Sequence, residues 1–300
     1  MFDLQIFQNT WLDLNHIKEI LIANPNRQES WENRDEENSS KKNKTIFTKG
    51  FDPSGDRTSL PISLHIFPTL ASTNQKSWEL IDTGANLPLI AIALQQTAGR
   101  GQWGRQWLSS TGGLYLSLGI STDLAIQNNA HLVMATAWGI ATTLRHHHLP
   151  IYLKWFNDLI LDRHKLGGIK IETRTQQETI TNAVIGVGIN WQNTVPEVGI
   201  NLQTYYQKKP QKYISSLEQL AAITTYGILF GYQYYLTEGI NKLVPNYQEI
   251  LINLGQEIIV RGSPGIITGV TTNGKLKIKL RSPGASTEIY LSPGQISLGY

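Results

Sequence analysis

Four short apolar segments, at residues 151–155, 159–161, 168–173 and 183–189, follow one another with connections as brief as Asp162-Arg163-His164-Lys165. A parallel strand pair needs a long crossover, whereas a hairpin needs only a few residues, so these segments read as antiparallel strands. In the third, Ile169 and Ile171 alternate with Lys170 and Glu172, which predicts a sheet solvated on one side. An apolar strand at 62–67 precedes them. Another follows at 113–119, where Leu114, Leu116 and Leu118 alternate with Tyr115 and Ser117 and predict one buried face. Residues 131–145 read as a helix packed on this sheet. His146, His147 and His148 follow its end, where positive charge complements the helix dipole; adjacent residues project in different directions, which argues against a metal site. The fold class is α+β, a mixed sheet with helices on one face.

The flanking regions differ in character. Residues 11–22 read as a short amphipathic helix, with Leu12, Leu14, Ile17, Ile20 and Leu21 loosely on one face. Residues 24–55, with NRDEENSSKKNK at their centre, hold too few aliphatic side chains to offset ordering entropy and read as a mobile linker. Ser72-Thr73-Asn74-Gln75 suits either a helix N-cap or polar recognition of a small ligand, and the helix it opens ends at Gly84. Ser215-Ser216-Leu217-Glu218 offers a capping box for a long helix to Gly239, and Pro245 starts a further helix. From Gly255 onward short strands follow at 257–260, 266–271, 275–280 and 288–291. Asn273-Gly274 is a hairpin signal, and Ser263-Pro264-Gly265 and Ser292-Pro293-Gly294 read as turns. This tail reads as a small β-barrel carrying Lys275, Lys277 and Lys279 on one face. Three regions result: an N-terminal segment (1–60), a central domain (61–250) and a small C-terminal domain (251–300).

Composition excludes whole classes of chemistry. The 300 residues contain no cysteine, which rules out disulfides, thiolate metal sites and thioester intermediates. A net charge of +3 is too small to argue for nucleic-acid or membrane binding, although it leaves an acidic protein partner open. The start lacks a basic segment followed by an apolar core, and no apolar run approaches the ~18 residues that span a bilayer. A soluble, cytoplasmic protein is expected.

Chemistry concentrates in four motifs. QQTAGRGQWGRQW (95–107) mixes permissive glycines with Arg100, Arg105, Trp103 and Trp107, which suits a loop folding over a ligand with an anionic end and an apolar body. KWFND (154–158) and KLGG (165–168) bring lysines near glycine-lined backbone, where phosphate or carboxylate oxygens can be held. GVGIN (186–190) closes a buried strand. Singly these are a Gly-rich surface loop, a surface ion pair and a strand end. Their order, with STNQ first and KLGG beginning seven residues after Asp158, is far more specific.

In that order they resemble biotin protein ligase, also called biotin–acetyl-CoA-carboxylase ligase, strongly over residues 62–190 and more loosely through the C-terminal barrel. The resemblance implies a class II synthetase-like biotin/lipoate ligase core with an SH3-like β-barrel. It implies that biotin and ATP give biotinyl-adenylate, which a lysine of the biotin carboxyl carrier protein then attacks, with Mg²⁺ and fixed cations stabilising the charge. Such a mixed anhydride needs no enzyme thiol.

Carried over by position, Ser72, Thr73, Asn74 and Gln96 address the biotin ring, and Arg100, Gly101 and Gln102 belong to the closing loop. Lys165 bridges carboxylate and α-phosphate oxygens as the principal catalytic cation, with Arg100 and Asp158 also catalytic and Asp158 a candidate for engaging the incoming lysine. Arg105, Trp107, Asn157, Gly186 and Asn190 lie on the nucleotide side, Gly168 allows close backbone contact, and the metal ligands are not identified. Two positions depart from the pattern. Gln102 stands where the family often has arginine, from which weaker retention of the adenylate is expected, and Phe156 replaces the proline usual in KWPND, removing a turn constraint beside Asn157.

Some family members carry a DNA-binding winged helix before the core. Residues 1–60 offer no run of closely spaced helices and no basic recognition helix, so an enzyme without DNA binding is expected. The competing readings are a lipoate ligase or lipoyl/octanoyl transferase, which normally lacks GRGxxGR, and a biotin-responsive repressor. A monomer and a homodimer are both compatible with the sequence.

Overall fold

The computed structural model describes residues 2–16, 62–282 and 285–299. The polar stretch at 24–55 and residues 17–22 of the expected first helix lie outside the described residues. The N-terminal helix α1 runs over Leu4–His16, beginning earlier than residue 11. Its buried side chains Phe7, Trp11 and Leu14 recur at helical spacing and join the main core.

Seven strands form the central sheet: β1 (Ser63–Phe67), β2 (Leu89–Ala93), β3 (Leu114–Ala125), β4 (Tyr152–Lys154), β5 (Asp158–Leu161), β6 (His164–Gln176) and β7 (Thr179–Ile189). Their order is β1-β2-β3-β7-β6-β5-β4. Only β1 and β2 are parallel, because helix α2 (Thr73–Asp82) supplies the crossover between them; every other neighbouring pair is antiparallel. The β5–β6 hairpin turns at Asp162 and Arg163, both at positive φ (50° and 64°), the mirror-image turn geometry that matches strand twist.

On one face of the sheet lie α3 (Asn129–His146) and α5 (Leu217–Glu238). They cross where Gly139 meets Gly227 and Gly231; a Cβ on Gly139 would stand 2.6 Å from Gly231 Cα, so the backbones approach as side chains would forbid. Helix α2 occupies the opposite face. Helices therefore cover both faces, and the expectation of one helical face is corrected. For the same reason β3 is buried on both sides: Leu114, Leu116 and Leu118 enter the α3–α5 core, while Ser117 lies against Thr73 and Asn74 of α2.

Several local expectations shift. The capping box sits one residue later, with Ser216 Oγ accepting from Gln219 N (3.1 Å) and Gln219 Oε1 from Ser215 N (2.8 Å). A short helix α4 (Leu202–Gln207) precedes it, and Pro245 lies inside α6 (Ile240–Glu249) instead of opening it. Burial pushes the His147 imidazole down to about 4, so that residue does not supply dipole-complementing charge. Arg145, in the last turn of α3, donates from Nη1 to Ile151 O (3.0 Å).

Strands β8 (Glu257–Val260), β9 (Ser263–Val270), β10 (Leu276–Ser282) and β11 (Ala285–Leu291) form a separate antiparallel sheet in the order β11-β10-β9-β8. Ser263-Pro264-Gly265 belongs to β9, and the turn falls at Arg261 and Gly262 (φ 50° and 84°). Gly274 turns the β9–β10 hairpin at φ 75°. Leu276 and Ile278 are buried, with Lys277 and Lys279 on the other side of β10. Among the described residues no helix is long and apolar enough to cross a membrane.

Candidate active site

A cavity of about 390 Å³ opens between the α2 face of the sheet, the loop around residues 96–107, the turn at 155–157 and the chain at 293–299. One end is a neutral polar network. Ser72 takes the N-cap position of α2 but makes no side-chain cap bond. Instead Gln96 Oε1 accepts from Thr73 N (2.8 Å) and Thr73 Oγ1 (3.1 Å), while Gln96 Nε2 donates to Ser109 Oγ (2.9 Å). Ser117 Oγ lies 2.7 Å from both Thr73 Oγ1 and Asn74 Oδ1, and Asn74 Nδ2 donates to Lys170 O (3.4 Å). A Cβ at Gly186 would collide with Asn74 Oδ1, so that glycine makes room for a protein side chain.

The other end is cationic. Lys165 Nζ pairs with Asp158 Oδ1 at 2.7 Å and lies 5.4 Å from the Trp107 ring centre. Trp107 spans Gly188, whose Cβ would strike its indole nitrogen, and touches the Gly168 position as well. Lys154 ends β4 nearly buried, and desolvation lowers its pKa to about 8, with Asp158 opposing that shift and Lys165 and Arg105 adding to it. Arg100, Arg105, Lys154, Lys165 and Lys170 line the cavity against Asp158 and Glu172, so its charge favours anions.

The KWFND turn is held from outside. Asn253 Oδ1 accepts from Trp155 N (2.8 Å), Gly274 O from Trp155 Nε1 (3.0 Å), and Phe156 O from Tyr247 Oη (2.9 Å). The Asn157 side chain donates to Ile169 O, and Asn157 O accepts from Ile169 N (3.1 Å). These bonds hold the backbone on either side of Phe156. Asn190 does not line the cavity: its Nδ2 donates to Lys165 O (3.4 Å) and Ile200 O (3.2 Å), bracing the backbone of Lys165.

The glycine–arginine loop is itself a small hairpin. Gly101 N donates to Arg105 O (2.7 Å), Arg105 N to Gln102 O (3.1 Å) and Trp107 N to Gly99 O (3.0 Å). Trp103 turns its tip at φ 58°, is 65% exposed, and lies against Gly294, where a Cβ would be 3.1 Å from the indole. The cavity thus brings together Ser72, Thr73, Asn74, Gln96, Arg100, Gly101, Gln102, Arg105, Trp107, Asn157, Asp158, Lys165, Gly168 and Gly186, and leaves Asn190 behind them. Sequence reasoning missed Lys170, Glu172 and residues 293–299. The alternation along β6 carried a signal for the first two, and nothing local marked the third.

Among the described residues no cluster of three or more histidine or acidic side chains could cage a metal. The cavity's carboxylates are each engaged by a lysine, Asp158 by Lys165 and Glu172 by Lys170, so a Mg²⁺ arriving on phosphate oxygens would keep most of its ligands as phosphate oxygens and waters. A Lys165–Asp158 ion pair among further cations, a buried amide and hydroxyl network and an aromatic wall equip the cavity to hold a ligand with a neutral polar part and an anionic part.

The model of the Biotin/lipoate A/B protein ligase family matches residues 66–190. The bifunctional ligase/repressor BirA of Bacillus subtilis is 24% identical over 204 residues, 67% of this chain and 63% of that protein, so the chain spans less than two thirds of that relative. The biotin–[acetyl-CoA-carboxylase] ligase of Paracoccus denitrificans is 24% identical over 230 residues, 69% of this chain and 90% of that one. In structure the chain resembles the biotin protein ligase of Aquifex aeolicus in complex with biotin and ATP, with a TM-score of 0.58 at 22% identity over 76% of this chain and 99% of that one, which establishes the shared fold.

Proposed function

We propose that the chain, which the model of the Biotin/lipoate A/B protein ligase family matches over residues 66–190, joins biotin to a lysine of the biotin carboxyl carrier protein of acetyl-CoA carboxylase, by way of biotinyl-5′-adenylate. One observation carries this reading. The Gln96–Thr73–Asn74 network and the Lys165–Asp158 pair line one cavity, with Trp107 packed on the sheet glycines beside them. A ureido ring fits the first, with Ser72 beside it, and a carboxylate next to a phosphate fits the second.

In the first step a biotin carboxylate oxygen attacks the α-phosphorus of ATP and pyrophosphate leaves. The Lys165 ammonium bridges the two anions, and Arg100 and Arg105 offset the charge that moves onto the leaving group. Mg²⁺, carried on the phosphates near Asp158, would neutralise part of that charge. Trp107 covers the adenylate, Gly101, Gln102 and Gly168 bring backbone and loop close to it, and Asn157 and Asn190 act through the backbones of Ile169 and Lys165. Gly186 keeps Asn74 in position. In the second step the carrier lysine attacks the acyl carbon, AMP leaves, and Asp158 takes up the amine proton. The C-terminal sheet is read as the family's SH3-like barrel. No DNA-binding role is proposed for residues before 62, on the sequence grounds given above; a gel shift dependent on that region would overturn this part.

Labelled biotin should enter a carrier domain in an ATP-dependent reaction that excess lipoate leaves unchanged, accompanied by biotin-dependent ATP–pyrophosphate exchange. Transfer of lipoate in preference to biotin, or no exchange at all, would overturn the proposal.

A further inference from the structure

Two neighbouring residues of the loop meet two neighbouring residues of β6. Lys170 Nζ donates to Gly101 O (3.3 Å), and Gln102 Nε2 donates to Ile169 O (3.4 Å). The donors run in opposite directions, so each segment is held once by its backbone and once by its side chain. Lys170 is also aimed from behind. Its Nζ lies 3.4 Å from Glu172 Oε1, and the other oxygen of that carboxylate accepts from Trp78 Nε1 on α2 (3.0 Å). A relay therefore runs from α2 through Glu172 and Lys170 to the loop carbonyl. Both Lys170 and Glu172 line the cavity, and neither was assigned a role above.

We propose that Lys170 and Gln102 form a two-point clasp fastening the glycine–arginine loop to β6, and that Lys170, oriented by Glu172, is a positioning residue governing how long the activated acyl-adenylate stays enclosed. The second half rests on the ligase reading; the clasp itself does not. The loop carries Arg100 and Arg105, leads into Trp107 and lines the same cavity as the Lys165–Asp158 ion pair, so loosening it opens that cavity. A primary ammonium donates to the carbonyl and the carboxylate at once while carrying positive charge; an amide lacks the charge and a methionine lacks both charge and donors. Gln102 contributes a neutral hydrogen bond where an arginine would add charge, and this leaves Lys170 as the charged member of the clasp.

Two measurements test this. In ligand-free protein, Lys170→Met is expected to speed hydrogen exchange at the Gly101 and Arg105 amides, which close the loop hairpin, by about five- to tenfold, the scale of one partly exposed charge-assisted hydrogen bond. In enzyme loaded with labelled biotin and ATP and then passed over a desalting column, the same variant is expected to release biotinyl-adenylate about five- to tenfold faster. Lys170→Arg should restore both, and Glu172→Gln should move both part of the way. Exchange and release unchanged in Lys170→Met, or Lys170→Arg behaving like Lys170→Met, would overturn the clasp. If the wild-type protein forms no adenylate, the ligase reading and the retention role fall, and the exchange measurement still decides whether the clasp exists.

Discussion

Lys165 works as one half of a pair. With Asp158 at 2.7 Å its ammonium is held in place before any anion arrives, and its side chain is only 22% exposed. Lys165→Met is expected to lower biotin-dependent ATP–pyrophosphate exchange by about 10²–10³-fold, the scale of losing one preorganised charge donor. The fold should persist, because the residue lies at the cavity wall and not in the core; circular dichroism with the exchange assay checks both. Lys154 adds a pH dependence. Its pKa is lowered to about 8, so its positive charge is present below that pH and is lost as pH rises through it. The KM for ATP should therefore rise above about pH 8, and Lys154→Met should flatten that rise. Stability has the opposite sense. Between about 8 and 10.5 the unfolded chain holds a proton that the folded chain has released, so folding gains as pH rises across that window.

The elements matter through what they press on the site. The β9–β10 hairpin lies far along the chain from the KWFND turn, yet Gly274 O receives the Trp155 indole proton and the Phe156 ring packs on Gly274. A Cβ on Gly274 would stand 2.9 Å from Phe156 Cε2 and 2.9 Å from Ala130 Cβ, and the residue holds φ 75°. Gly274→Ala should cost about 1–3 kcal/mol in urea unfolding. It should also lower kcat more than it raises the KM for biotin, since Asn157 and Asp158 move with the turn while the Gln96 network does not. Equal loss in both parameters would assign the hairpin to stability alone. The two glycines of GVGIN divide their work similarly: Gly186 makes room for Asn74 and Gly188 for Trp107, so one strand end seats both ends of the cavity.

At the scale of the molecule, α1 is joined to the main core although residues 17–61 separate it from β1 in sequence. Trp11 is 5% exposed and meets Tyr226 of α5 edge-on, with ring centres 6.2 Å apart. Trp11→Ala should cost about 3–5 kcal/mol by urea unfolding, leaving the KM for ATP unchanged where the protein remains folded. Lys277 and Lys279 lie on the outward side of β10, with Lys275 exposed just before the strand. Reversing all three charges should leave the KM for the carrier unchanged, as for a solvated strand face; a several-fold rise would make that face a docking surface. The strands other than β2, the hairpin at Asn273-Gly274 and the cavity-lining motif residues were legible in the sequence, because turn chemistry, alternation and glycine spacing are local properties. Some local readings still slipped by a residue or an element, as at Ser216 and Pro245, where hydrogen bonding and the helix start at Gly239 decided the outcome. What the sequence by itself determined is an α+β chain without cysteine that carries its GRGQWGRQW, KWFND, KLGG and GVGIN segments in that order. Only the tertiary structure decided that α2 covers the second face of the sheet, that Asn190 braces Lys165 from behind, that Lys170 reaches the loop, and that residues 293–299 close the cavity. Each depends on distances between segments far apart in sequence, which are set by how the two sheets and their helices pack and leave no periodic mark on the chain.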